Sequence, residues 1–143
     1  MFRSSNVVWN GSGPEGSGKI TTQSGAFKDQ PYSIKTRFAS EDGKAGTNPE
    51  ELIAAAHAAC FSMALAFQLT SAGHPPEELK TEAKVELVKG DAGWSIPSIK
   101  LIVTGKVPGV DAAKFQELAA TAKANCPISK ILSPPITLEA KLL

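Results

Sequence analysis

Apolar and polar positions change their period several times along the chain, and each change marks an element. Residues 7–9, 19–23 and 32–38 are short β-favouring runs separated by Gly, Pro, Ser and Asp, with a Gly/Ser-rich loop over 11–18, so the chain opens with a small meander. In the third run Tyr32, Ile34, Thr36 and Phe38 alternate with Ser33, Lys35 and Arg37, which predicts a strand with Arg37 on its polar face. A helix start follows: Asn48 as N-cap, Pro49 at the first helical position and Glu51 at the capping-box position. The helix is expected to run to about Ser71, where Ala72-Gly73-His74-Pro75-Pro76 stops it. It is apolar nearly all round, which predicts a buried central element.

Beyond it, residues 81–88 alternate, 96–107 form another strand region broken by Pro97, and Gly90-Asp91-Ala92-Gly93 suggests a hairpin between them. Residues 111–124 place Phe115, Leu118, Ala119 and Ala122 at helical spacing behind Asp111 as cap, and Asn125-Cys126-Pro127-Ile128 opens a further short helix. Residues 136–142 alternate as a closing strand. Strands and helices in this order give an α+β class.

A length of 143 residues with 42% hydrophobic and 20% charged side chains fits one domain, residues 1–143, able to bury a core. The formal charge of +1, without a block of like charge, argues against nucleic acid as a partner. Residues 52–69 come nearest to a membrane span, but His57, Cys60, Ser62 and Gln68 interrupt them, and they read as a helix buried in protein rather than in lipid. Residues 1–6 lack the apolar core of a secretory signal, so the expected address is cytoplasmic. In that compartment the two cysteines are inert core residues or reactive thiols more often than a structural disulfide.

Their surroundings leave several readings open. Cys60 lies mid-helix among small residues, with Phe61, Met63, Leu65 and Phe67 as apolar walls, which taken by itself describes a core cysteine. Cys126 precedes Pro127 at a helix N-terminus, where free N–H groups and the helix dipole favour a thiolate. His57, three positions before Cys60, shares its side of the helix; it is a satisfied core histidine, the base of a Cys/His pair, or with both cysteines a metal ligand, although the spacing matches no zinc signature. With Glu51 at the cap, Glu50 is left either to complement the helix dipole or to serve a site. Ten residues of helix, roughly 15 Å of rise, keep Glu50 from touching Cys60 within one straight helix, so a site using both would draw one from a second chain. Arg37 is, on pattern, a solvated strand residue.

Gly46-Thr47-Asn48-Pro49-Glu50-Glu51-Leu52, Ala55-Ala56-His57-Ala58-Ala59-Cys60-Phe61 and Asn125-Cys126-Pro127-Ile128-Ser129 resemble the OsmC/Ohr family. The likeness extends to residues 31–38, 107–111 and 136–138, and it leans to the OsmC branch because His57 and the strand-borne Arg37 follow that pattern. The resemblance implies an intertwined α+β homodimer, antiparallel sheets around long central helices, with active sites at the interface. It implies a thiol peroxidase in which Cys60 attacks, Cys126 resolves, Arg37 stabilises the thiolate and Glu50 holds Arg37. Organic hydroperoxides are the implied substrates and a lipoyl-type dithiol the reductant, with no flavin, haem or metal required. Two rivals remain at this level: a non-enzymatic protein binding an apolar small molecule, and a Cys/His hydrolase using His57 as base, for which no orienting residue or oxyanion hole is identifiable.

Overall fold

The computed structural model describes residues 1–40 and 42–143, which divide into two compact units, Met1–Leu52 and Ile53–Leu143. In the first, β1 (Ser5–Asn10), β2 (Ser17–Thr22) and β3 (Gln30–Ser33) form an antiparallel meander in that order. Val7 stands opposite Ile20 and Gly18 opposite Tyr32. The rings of Trp9 and Tyr32, 5.5 Å apart between centroids, close over Gly18, where a side chain would run into both.

The expected strand over 32–38 ends early. After Ser33 the chain turns into a short helix, α1 (Ile34–Phe38), so Arg37 is carried by a helical turn and not by a strand. The cause is local. Ser33 Oγ accepts the Thr36 amide at 3.2 Å and Thr36 Oγ1 accepts the Ser33 amide at 2.9 Å, a reciprocal capping box whose two bonds outweigh the alternation over residues 32–38. Thr36 also donates to the Thr47 carbonyl at 3.1 Å, which ties α1 to the entry of the long helix.

That helix, α2 (Pro49–Ser71), has the expected limits. Asn48 Oδ1 accepts the Glu51 amide at 2.8 Å and Pro49 occupies the first turn, where its missing N–H costs nothing. At the far end Gly73, with φ of +85°, lets its own amide reach Thr70 O at 3.0 Å and that of His74 reach Leu69 O at 2.9 Å, the two bonds of a Schellman stop.

In the second unit the sheet order is β4 (Glu78–Val85), β7 (Ile99–Lys106), β8 (Ile136–Leu142), and β5 (Val88–Gly90) pairs with β6 (Gly93–Ser95) as the expected hairpin. β4 and β7 are antiparallel, whereas β8 runs parallel to β7, with α3 (Ala112–Asn125) and α4 (Pro127–Ile131) forming the crossover between them. Asp111 caps α3 by accepting the Lys114 amide at 2.7 Å. The central strand β7 turns Ile99, Leu101, Val103 and Gly105 inward, and the Phe115 ring of α3 packs where a side chain on Gly105 would stand.

Phe61, Leu65 and Leu69 of α2 join Leu101, Val103, Phe115, Leu118, Ala119, Ala122 and Cys126 in one core. α2 is nevertheless not buried all round. It is long and apolar enough to cross a membrane by length and composition, with a mean hydropathy of 1.7, but only its inner face is packed: Met63 is 61% and Phe67 76% exposed, beside exposed Ala55, Ala56 and Ala59. The sheet of its own unit meets one side of the helix, and apolar residues on the other side have no cover within that unit.

Candidate active site

Two constellations carry chemistry, one in each unit. In Ile53–Leu143, Cys60 and Cys126 lie 66 residues apart in sequence, yet their Sγ atoms are 3.0 Å apart, both cysteines being free thiols. Helix geometry explains the meeting. Cys60 sits on the inner side of α2 one residue before the buried Phe61, and Cys126 is at once the last cap of α3 and the N-cap of α4, held by its amide to Ala122 O at 2.8 Å. Cys126 is fully buried, whereas Cys60 is half-buried and is the sulfur that solvent can approach.

The two sulfurs are shifted in opposite directions. At Cys60, burial pushes the thiol up, and the contact with Cys126 adds to this against a smaller opposing effect of the Ile128 amide. At Cys126 burial also acts upward, but it is outweighed by the interaction with Cys60, by the amide and hydroxyl of Ser129 and by the Ile128 amide, leaving this thiol below its ordinary value. Within this unit the surroundings thus favour the charged form at Cys126, at the N-terminus of α4, over Cys60. No cation of the unit can reverse this with a planar fork, because the two arginines of the chain, Arg3 and Arg37, both lie in Met1–Leu52.

His57 is fully buried one turn before Cys60, with Nε2 2.8 Å from Ser129 Oγ and Nδ1 without a hydrogen-bond partner among the described residues. Burial lowers its pKa, so the ring is neutral near neutral pH. This joins the core-histidine reading to the site, since Ser129 stands on α4 three residues after Cys126. Sequence reasoning gave Ser129 no role; the signal was present in a hydroxyl three residues after a cysteine N-cap. Among the described residues, no group of three His, Cys, Asp or Glu side chains is placed to hold a metal ion.

In Met1–Leu52, Arg37 Nη2 donates to Glu50 Oε1 at 2.6 Å and Arg37 Nε to Oε2 at 3.1 Å, a two-pronged pair that leaves Nη1 uncommitted to the carboxylate. The Glu50 side chain is 10% exposed and that of Arg37 31%, with the guanidinium 4.8 Å from the centre of the Phe38 ring. Glu50 thus has a partner beyond the helix dipole. Glu50 and Cys60 fall in different units, ten residues apart along α2.

The family profile described as OsmC-like protein matches residues 41–141. The chain belongs to the OsmC-like family. It is 48% identical to Peroxiredoxin OsmC of Escherichia coli over 142 residues, covering 99% of this chain and 97% of that protein. It is 36% identical to the organic hydroperoxide resistance protein OhrB of Bacillus subtilis over 115 residues, 79% of each. The crystal structure of the Bacillus subtilis OhrB superposes with a TM-score of 0.72 at 30% identity, covering 98% of both chains. The mixed helix-and-sheet architecture is thus that of OsmC/Ohr structures.

Proposed function

We propose that the chain is a cysteine-based peroxidase that reduces organic hydroperoxides to alcohols, with Cys60 attacking and Cys126 resolving. Relatives named as a peroxiredoxin and as an organic hydroperoxide resistance protein support the reaction class. The observation that carries the residue assignment is the 3.0 Å approach of the two sulfurs, one half-buried and one buried. The accessible sulfur can meet a peroxide; the buried one can meet only its neighbour.

In this reading the Cys60 thiolate attacks the terminal peroxide oxygen, the O–O bond breaks, and the alkoxide takes a proton and leaves as alcohol. The sulfenic acid left on Cys60 is attacked by the Cys126 thiolate, hydroxide departs and is protonated to water, and a Cys60–Cys126 disulfide remains. An external dithiol, of lipoyl type by the family resemblance, takes up the oxidising equivalents in two exchanges and restores both thiols.

The attack needs a thiolate on Cys60, although its own unit favours Cys126. The missing charge is assigned to Arg37, oriented by Glu50 and supplied by a second copy of the chain. Two features support a homodimer: the roughly 15 Å of helix between Glu50 and Cys60, and the exposed Met63 and Phe67 on the outer face of α2. Apolar walls at such an interface would favour alkyl or aryl hydroperoxides over hydrogen peroxide, because only the former bury an organic part. A reducing cytoplasmic compartment suits a catalytic rather than a structural disulfide.

Steady-state reduction of cumene hydroperoxide with a dithiol donor tests the assignment. Cys60→Ser is expected to have no turnover, and Cys126→Ser to perform one oxidation and then stall. Turnover retained in Cys60→Ser would overturn it.

A further inference from the structure

Among the described residues, His57 is the one fully buried titratable side chain that the proposed cycle leaves without a task, and its bonding is unusual. Nε2 meets Ser129 Oγ at 2.8 Å, while Nδ1 is buried with no partner among the described residues. A neutral imidazole carries its proton on one nitrogen only, and a buried N–H without an acceptor is the rarer orphan in proteins. The ring is therefore best satisfied with Nδ1 bare and Nε2 protonated, donating to Ser129.

A serine hydroxyl has one proton to give and two lone pairs to accept with. If Nε2 were bare, Ser129 would donate to it and have nothing left for sulfur. With Nε2–H as donor, the Ser129 proton is released for another acceptor, and the acceptor on its own helix is Cys126, the N-cap of α4 three residues earlier. The Cys126 sulfur is buried and 3.0 Å from that of Cys60.

We propose that His57 is a positioning residue that, by donating from Nε2 to Ser129, directs the Ser129 hydroxyl onto the Cys126 sulfur and so readies Cys126 as the resolving nucleophile. The inference rests on the proposed roles of the two cysteines for its place in the cycle, but the His57–Ser129 bond and the place of Ser129 three residues after Cys126 on α4 are independent of them. Its consequence is confined to the second step: the sulfenic acid on Cys60 is attacked by the Cys126 thiolate, the S–O bond breaks, hydroxide leaves and is protonated, and the S–S bond forms. A neutral His57 suits this role, since it supplies a directed N–H without placing a full charge beside the sulfur.

The test is a thiolate titration of Cys126 in the full chain carrying Cys60→Ser, followed by ultraviolet thiolate absorbance against pH. The other titratable groups within one turn on the elements packed there are His57 on α2, Lys123 on α3, whose Nζ donates to the Ile136 carbonyl at 3.0 Å, and the exposed Lys130 on α4. Adding Ser129→Ala or His57→Leu is expected to raise the midpoint by about one pH unit, a tenfold loss of thiolate below it, as for one hydrogen bond to a charged sulfur. The two together should raise it no further than either one, and His57→Gln, whose amide N–H can replace Nε2–H, should leave it within a few tenths. Additive shifts, an unmoved midpoint in Ser129→Ala, or a glutamine variant as impaired as the leucine one would each overturn the proposal. Because Cys60 is absent and no peroxide is used, these outcomes stand whether or not Cys60 is the attacking residue. In chains with Cys60 intact, dimedone trapping should show sulfenic acid forming at the normal rate but persisting about tenfold longer in Ser129→Ala.

Discussion

Oxidation to the Cys60–Cys126 disulfide should stabilise the fold by an amount set by the loop it closes. With the two cysteines 66 positions apart in sequence, the chain-entropy relation gives about 4 kcal/mol at 25 °C. For a protein of this size each kcal/mol moves the melting temperature by roughly 2–4 °C, so the oxidised protein should melt about 8–16 °C above the reduced one. Little of this should be lost to native strain, because the sulfurs already stand 3.0 Å apart and need to close by only about 1 Å to reach bonding distance. The assay is thermal unfolding by circular dichroism of the two redox forms at one protein concentration, which removes the effect of dimerisation on the comparison. Cys126→Ser should show no difference between oxidising and reducing buffer. Redox forms that melt within about 2 °C of each other, or a disulfide found by mass spectrometry to join two chains, would refute the reasoning that the loop from Cys60 to Cys126 closes within a chain.

Three further outcomes follow from the same geometry. Glu50→Gln removes the charged half of a pair with bonds of 2.6 and 3.1 Å, leaving Arg37 without its anchor; kcat/KM for cumene hydroperoxide should fall about 10- to 100-fold, roughly 1.4–2.8 kcal/mol, with an unchanged circular dichroism spectrum. Phe67→Glu places a charge on the exposed apolar face of α2, where Phe67 is 76% exposed in the single chain; light scattering should find monomer in place of dimer, whereas a dimer of unchanged stability would show that this face is not the interface. Burial lowers the His57 pKa below its ordinary value near 6.5, so its contribution to stability is complete above that pH and is lost as pH falls toward the lower folded value. Urea midpoints should decline over that interval in the natural chain, and the decline should shrink in His57→Gln.

Most of the elements were legible because their ends carry chemistry of their own. Asn48 and Pro49 open α2, Gly73 closes it, Asp111 opens α3, and Cys126-Pro127 opens α4, each through a bond or a backbone angle that one or two residues decide. Alternation from Tyr32 to Phe38 points to a strand bearing Arg37, but the Ser33 and Thr36 hydroxyls make reciprocal bonds that turn the chain into α1. An all-round apolar helix cannot reveal which face its own unit covers, so the exposure of Met63 and Phe67 came only with the fold. The parallel pairing of β8 with β7 was likewise hidden, since strand alternation records a face and not a neighbour. At the site, residue types were readable but juxtapositions were not. Nothing in 66 residues of separation announces a 3.0 Å contact, and the His57–Ser129 bond joins residues 72 positions apart.

The most direct measurement is stopped-flow mixing of the fully reduced protein with cumene hydroperoxide, free thiols being counted before and after and hydrogen peroxide run in parallel. Expected is rapid loss of two thiols per chain, faster with the organic oxidant, and mapped to Cys60 and Cys126 by peptide mass. Thiols that react no faster than free cysteine, or an oxidised product in which Cys60 is untouched, would contradict the assignment of Cys60 as the attacking residue.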